Sequence, residues 1–200
     1  MSARAEATKQ KLFDATLKLA TSRGLVGLTV DEIAAEAGVA KGTVYYNFGS
    51  KDALVDALLR YGVGQLAERL RAAAADPDPV VALESQVDAA LVFIRDYRGF
   101  SQLLVSEMWR TPGQWHETLT LLREEIITIV KEQLQRIDEA GRLPAGVRIP
   151  TAAAGLFGTL LVVALDWQVF QPQRSRAEVR NSVMLLIRGV AANPVLGGES

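Results

Sequence analysis

Apolar residues recur at spacings of three and four along nearly the whole chain, and no alternating β-branched run bounded by hairpin turns interrupts them. That periodicity predicts an all-α fold. Leu12, Ala15, Thr16 and Leu19 form the first stripe, which stops at Gly24. The next stripe, Val30, Ile33, Ala34 and Ala37, opens with Thr29-Val30-Asp31-Glu32 and stops at Gly38. There the Thr29 hydroxyl can accept from the Glu32 amide while the Glu32 carboxylate reaches back, a capping box. After Val39, a third helix over roughly 40–47 turns Val44 and Phe48 inward and ends at Gly49-Ser50. Ser50 is the expected N-cap of a long fourth helix that carries Leu54, Val55, Leu58 and Leu59, includes Gly62 and Gly64, and stops at Asp76-Pro77-Asp78-Pro79.

Farther along, Val80, Leu83, Val87, Ala90 and Ile94 predict a helix that stops near Arg98-Gly99, and a shorter one follows to about Arg110. Thr111-Pro112-Gly113 reads as a turn. Leu119, Leu122, Ile126, Val130, Leu134 and Ile137 mark another long helix closing at Gly141, and two last helices are expected over roughly 151–170 and 177–192. The uncharged stretch from Ile149 to Leu165 contains Pro150, Gly155 and Gly158 and falls short of the about 20 apolar residues of a membrane span, so a buried helix is expected and no membrane partner. Residues 193–200 are expected to form a tail without order.

Composition narrows the chemistry. Of 200 residues, 49% are hydrophobic and 22% charged, which excludes global disorder. Lys plus Arg (22) nearly balance Asp plus Glu (23), so bulk charge attracts neither nucleic acid nor anionic lipid, and DNA binding requires a local patch. The absence of Cys excludes disulfides, thiolate nucleophiles and Cys-ligated zinc. His116 is the only His, which excludes a two-His metal site within one chain, and Gly113 removes a Glu-x-x-His pairing. Gly62-Val63-Gly64-Gln65-Leu66-Ala67 fits the dinucleotide-binding spacing, but it lies in a helical stripe with no strand before it and reads as a chance match. No enzyme, cofactor or metal is expected. Met1 to Lys9 lacks the apolar run of a secretion signal, so the expected location is cytoplasmic.

Two short helices joined by a tight Gly turn and packed on a third form the arrangement that presents one helix to the DNA major groove. With Val44 and Phe48 inward, Lys41, Gly42, Thr43, Tyr45, Tyr46 and Asn47 are left largely outside. Thr and Tyr hydroxyls can reach phosphates, and Asn can pair with an adenine edge. The helix starts near Thr29, Lys41 and Lys51 add free amides and the positive end of a dipole. Capping alone by Thr29 and Ser50, solvated Lys41 and Lys51, and a Tyr45 packed sideways stay open as the plainer reading. Charge does not decide, since residues 1–60 hold eight Lys or Arg against seven Asp or Glu.

The segment from Gly24 to Lys51, with LTVDEIAAEAGVAKGTVYYNFGSKDAL continuing to Leu54, resembles the DNA-binding segment of TetR-family regulators, and the likeness covers about the first 60 residues. The resemblance implies that Thr29, Thr43, Tyr46 and Lys51 contact phosphates while Lys41, Gly42, Tyr45 and Asn47 sit at or near base edges. It further implies a DNA-binding domain over 1–50, and a ligand-binding and dimerisation domain over 51–192 whose last two long helices pair with a second chain. The function implied is that of a repressor on a palindromic operator, released by a small-molecule inducer. Ala40 stands where the family commonly has Ser or Thr, which weakens the start of the third helix by about 1 kcal/mol. Asn47 occupies a slot often held by His, so the operator sequence is not predicted.

In the larger portion, Val179, Val183, Leu186, Ile187 and Val190 form one apolar stripe, and Ala154, Gly155, Gly158 and Thr159 are small enough for close helix approach. Both are expected at a homodimer interface, with packing inside one chain as the alternative. Phe93, Tyr97, Phe100, Met108, Trp109, Trp115, His116, Phe157 and Trp167 are the candidates for a small-ligand pocket, because aromatic walls with a few polar groups suit one. Asp166 either binds a cationic group or faces solvent at the interface edge. Gly62 and Gly64 mark either a flexible point or tight packing. Two rival functions remain, a helical ligand carrier that ignores DNA and a bundle enzyme.

Overall fold

Glycines and hydroxyl caps divide the chain where the periodicity breaks. The computed structural model describes residues 3–25, 27–108 and 115–192, without the side chains of 3, 4, 23, 108 and 188–192. Its regular elements among the described residues are all helices: α1 (Ala3–Arg23), α2 (Val30–Ala37), α3 (Lys41–Phe48), α4 (Lys51–Ala73), α5 (Pro79–Asp96), α6 (Arg98–Met108), α7 (His116–Glu139), α8 (Ile149–Phe170) and α9 (Arg176–Ala192). Two units result, one of Met1–Gly64 and Tyr97–Leu122, the other of Gln65–Asp96 and Arg123–Ser200. The expected turn at 111–113 and the tail 193–200 lie outside the described residues.

In the first unit, Leu12, Ala15, Thr16 and Leu19 are all buried, as the stripe on α1 predicts. Thr16 is accommodated there because its hydroxyl donates to the Leu12 carbonyl at 2.7 Å. Phe13 packs against Phe48 and Tyr61, with ring centroids 5.6 and 5.4 Å apart, tying α1 to α3 and the start of α4. Gly62 lies flat against the ring of Phe100, and a Cβ at that position would overlap the ring. Tight packing therefore accounts for Gly62. A Cβ on Gly64 would meet nothing within 4 Å. The start of α7 is held by Asp56, which accepts from Arg60 Nε at 2.7 Å and from the Thr118 hydroxyl at 2.6 Å. The Arg60 hydrogen bond, aided by Thr118, brings the Asp56 carboxyl below its ordinary value.

The second unit is built on a core of Leu83, Ile127, Leu134, Ile137 and Ala153, against which Val80, Ile149, Phe157 and Ile187 pack. Arg136 of α7 donates to the carbonyls of Ala74 and Asp76 at 2.9 and 2.8 Å, so one guanidinium satisfies the backbone where Asp76-Pro77-Asp78-Pro79 stops α4. Asp78 caps α5 by accepting from the Val80 amide at 2.8 Å. Val179 and Val183 sit on the side of α9 whose Arg176 and Arg180 pair with Asp88 and Glu84 of α5, and both valines are buried in their own chain.

The expectation that 149–165 forms a buried helix is met in part. The helix is there, but 17% of its apolar window is buried. Ala153, Leu161, Ala164 and Trp167 face inward, whereas Val162, Val169 and Phe170 are exposed. By length and composition alone α8 could cross a membrane.

Two outcomes follow from this packing. Gly62→Ala should lower stability by about 1–3 kcal/mol through overlap with Phe100, while Gly64→Ala should raise it by up to about 1 kcal/mol through helix propensity, both read as shifts in the urea midpoint. Because the folded-state pKa of Asp56 is depressed, its contribution is fully present above the unfolded value and is lost as pH falls through the folded one. The stability difference between the wild-type protein and Asp56→Asn should accordingly be constant near neutral pH and shrink below about pH 4.

Candidate nucleic-acid interface

Local chemistry sets the angle between α2 and α3. Thr29 Oγ1 accepts from the Glu32 amide at 3.2 Å and the Glu32 carboxylate accepts from the Thr29 amide at 2.9 Å, which completes the capping box. At the other end Gly38 turns left-handed at φ 65°, and its amide and that of Val39 donate to the carbonyls of Ala35 and Ala34. The chain then leaves α2 with the Ala34 and Ala35 carbonyls satisfied and enters α3 after the three residues Gly38, Val39 and Ala40. Ala40 occupies the N-cap in extended conformation with no side-chain cap, as its identity requires. Gly49, at φ 77°, closes α3, and Ser50 Oγ accepts from the Ala53 amide at 3.0 Å to start α4.

Burial divides α3 into two sides. Val44 has no accessible surface and Phe48 is half-buried against Phe13, while Lys41, Gly42, Tyr45 and Tyr46 are exposed and Thr43, Asn47 and Lys51 are partly so. Tyr46 is 91% exposed, which is costly for an aromatic ring that has no partner to meet. Tyr45, at 46%, is half packed.

Three of the expected contact residues are already engaged. Lys41 Nζ donates to Asp31 Oδ2 at 2.8 Å, and that bond raises the ammonium above its ordinary pKa. Asn47 Nδ2 donates to the Thr43 carbonyl at 2.8 Å, so one of its two N–H donors serves its own helix, and the other N–H and the side-chain oxygen are left for a base. The Thr29 hydroxyl is held in the capping box. Asp31 was not among the expected residues; its signal in the sequence is its place in the first turn of α2, ten residues before Lys41.

The pocket candidates disperse. Phe93 is buried with the Arg69 guanidinium 5.5 Å from its ring centre. Phe100 is used against Gly62, and Trp167 is buried with its indole N–H donating to the Arg174 carbonyl at 2.9 Å. Trp115 is buried, Phe157 is half-buried against the core of the second unit, and Tyr97 and His116 are exposed. The side chain of Met108 and all of Trp109 lie outside the described residues. Instead, a cavity of about 480 Å³ in the second unit is bounded by α5, α7, the α7–α8 loop, α8 and α9, and none of the seven candidates whose side chains are described lines it. Rings serve the core here, and aliphatic side chains line the space.

Of the expected interface residues, Gly155 and Leu186 are exposed, Gly158 is half-exposed, and Ala154 and Ile187 pack on their own core. Val179 and Val183 are buried within their own chain, on a helix that packs on α5 and α8; the side chain of Val190 lies outside the described residues. Val162, Val169, Phe170 and Leu185, absent from the expected set, form the exposed apolar surface of α8 and α9. Asp166 is half-exposed and accepts from Gln171 at 2.7 Å. Among the described residues no group of three His, Cys, Asp or Glu is placed to hold a metal ion.

The family model for bacterial regulatory proteins of the tetR family matches residues 12–58, which span most of α1, all of α2 and α3 and the start of α4. The HTH-type transcriptional regulator SrpR of Pseudomonas putida is 25% identical over 183 residues, covering 88% of this chain and 82% of the relative. The fatty acid metabolism regulator protein of Bacillus subtilis is 25% identical over 191 residues, covering 90% and 94%. Among solved structures, the transcriptional regulator FadR from Bacillus subtilis in complex with stearoyl-CoA superposes with a TM-score of 0.80 at 20% identity, covering 90% of this chain and 98% of that one. With α2 and α3 matched as a block to the tetR-family model over residues 12–58, and transcriptional regulators similar along most of its length, the chain carries a tetR-type DNA-binding segment and is similar as a whole to bacterial transcriptional regulators.

Proposed function

We propose that the protein is a repressor that occupies a palindromic operator as a homodimer and leaves it when a small amphipathic molecule with a long aliphatic chain, of the fatty acyl type, binds its larger helical portion. On this reading residues 1–50 read DNA and 51–192 bind ligand and dimerise, in the bacterial cytoplasm. The observation that carries it is the outward side of α3, where Lys41, Gly42, Thr43, Tyr45 and Tyr46 are presented while Val44 anchors the opposite side. The start of α4 adds Lys51, beside amides that can face a phosphate.

A dimer is supported by the uncovered apolar surface of α8 and α9, where Val162, Phe170 and Leu185 are 67%, 75% and 70% exposed. Contiguous apolar patches of that kind mark interaction sites. A two-fold protein also doubles the contacts of a reading helix of only eight residues. The acyl class is supported by the relative named for fatty acid metabolism and by the stearoyl-CoA complex of a protein of the same fold. Release then needs only differential binding, since a ligand that prefers the state with lower operator affinity must weaken DNA binding by the same factor that DNA weakens ligand binding.

Titration of a labelled operator, selected from genomic fragments, tests the reading at several salt concentrations. Lys51→Ala should weaken binding and flatten the logarithmic salt slope by about one. Asp31→Asn should tighten binding and steepen the slope, because it frees Lys41 and removes a carboxylate from the approaching surface. Tyr46→Ala should cost about 1–3 kcal/mol of operator affinity, whereas a carrier indifferent to DNA would lose nothing. Palmitoyl-CoA should lower operator affinity by about 5- to 150-fold; an operator complex insensitive to saturating acyl-CoA sinks the acyl reading and leaves the DNA reading standing.

A further inference from the structure

We infer that the effector's aliphatic tail lies in the cavity bounded by α5, α7, α8 and α9, and that a second copy of the chain closes this site, so that effector binding and dimerisation reinforce each other. The inference rests on the acyl-responsive homodimer proposed above.

Wall chemistry selects the ligand class. At about 480 Å³ the cavity falls in the range of small-molecule sites, about 300–1,000 Å³. None of its described wall residues is aromatic; Leu83, Leu134, Leu156 and Met184 are representative. Planar ring systems are held best by stacking on other rings, whereas branched and thioether side chains adapt to a flexible chain. The one charged residue among the described walls, Arg142, already gives its guanidinium to Asp78, with Nη1 2.8 Å from each carboxylate oxygen. Asp78 is in turn fixed by capping α5. Among the described wall residues no uncommitted charge remains to draw an ionic group inward, and a buried, unpaired head group would be costly. The tail therefore enters and the polar end stays at the mouth.

Helix periodicity places that mouth. Gly155 and Thr159 line the cavity, and the same line along α8 continues through Val162, Asp166 and Val169. Gly155 and Val162 are exposed, and so is Leu186 of α9, another wall residue, beside the exposed Leu185. Wall and exposed apolar surface thus meet along α8 and α9. A second copy covering Val162 and Leu185 would also cover the opening at Gly155 and Leu186, and a tail in the cavity would present part of its surface to that copy.

The test uses the full-length protein with palmitate and palmitoyl-CoA as probes, so that one tail is offered with two head groups. Both should bind the wild-type protein, and each should lower the dimer dissociation constant, measured by sedimentation at nanomolar to micromolar protein, by at least about fivefold, as linkage demands. The double variant Val162→Arg with Leu185→Arg, neither of which lines the cavity, should be a folded monomer by sedimentation and circular dichroism and bind either probe at least about fivefold more weakly. Ala152→Phe, which fills the cavity from within the chain, should lose probe binding at unchanged helical content. A monomeric double variant that binds as the wild-type does overturns the shared site and leaves the acyl effector standing, and so does a dimer constant unmoved by bound probe. Undiminished binding by Ala152→Phe overturns the location. Wild-type protein that binds neither probe overturns the effector reading itself, and one that is monomeric throughout overturns the dimer and this site with it.

Discussion

The outward side of α3, proposed above to read DNA, exists because one side chain is hidden. Val44 has no accessible area, and with Phe48 against Phe13 it fixes α3 by one side only. An eight-residue helix is too short to be stable alone. Its shape is therefore supplied by the neighbours it packs on, and by the turns at Gly38 and Gly49 that let it enter and leave at the required angles. Replacing Val44 would remove the anchor as well as a core contact, so the outward residues depend on a position that never faces DNA.

A second constraint acts at the other end of the chain. α8 is apolar on more sides than its own chain covers, and α9 buries Val179 and Val183 while leaving Leu185 and Leu186 outside. At about 25 cal/mol per Å² of apolar area, covering these rows with the proposed second copy would be favourable. Small residues at 155 and 158 lie on that same side and admit close helix approach. On the proposed dimer, the features that make α8 resemble a membrane span by composition are those of a helix whose own chain buries only 17% of its apolar window.

Much of this was legible in the sequence where the signal is local. The stripe from Leu12 to Leu19, the Thr29–Glu32 capping box, the glycine stops at 24, 38 and 141 and the cap at Ser50 each depend on residues within one or two turns. The same logic extends to Ser175 and Glu178, which form a second capping box, with the Glu178 carboxylate accepting from the Ser175 amide at 2.7 Å. The sequence pattern Ser-Arg-Ala-Glu could have revealed it. Questions of which neighbour fills a face were not legible. A stripe announces that Val179 and Val183 are buried, but α5 and a second chain satisfy it equally well. Ring content misled in the same way: Phe100 and Trp167 are large enough to line a cavity, yet the bare Gly62 and the Arg174 carbonyl claim them. The cavity's walls come from residues 80 to 187, a separation no local pattern spans.

Charge explains why the two halves of the proposed mechanism need each other. In the segment proposed to read DNA, cations are already paired, Lys41 with Asp31 and Lys18 with Glu36. Few counterions would be released by a single chain, and nonspecific attraction, which scales with the phosphates neutralised, would be weak. Hydroxyls, helix dipoles and the two tyrosines give contacts of modest strength that depend on register. Such contacts become effective when two copies engage one site, because the second engagement is then intramolecular. A reader built this way gains little from charge and much from the spacing between its two copies. On that reading a ligand lodged where those copies meet acts on the quantity to which operator affinity is most sensitive.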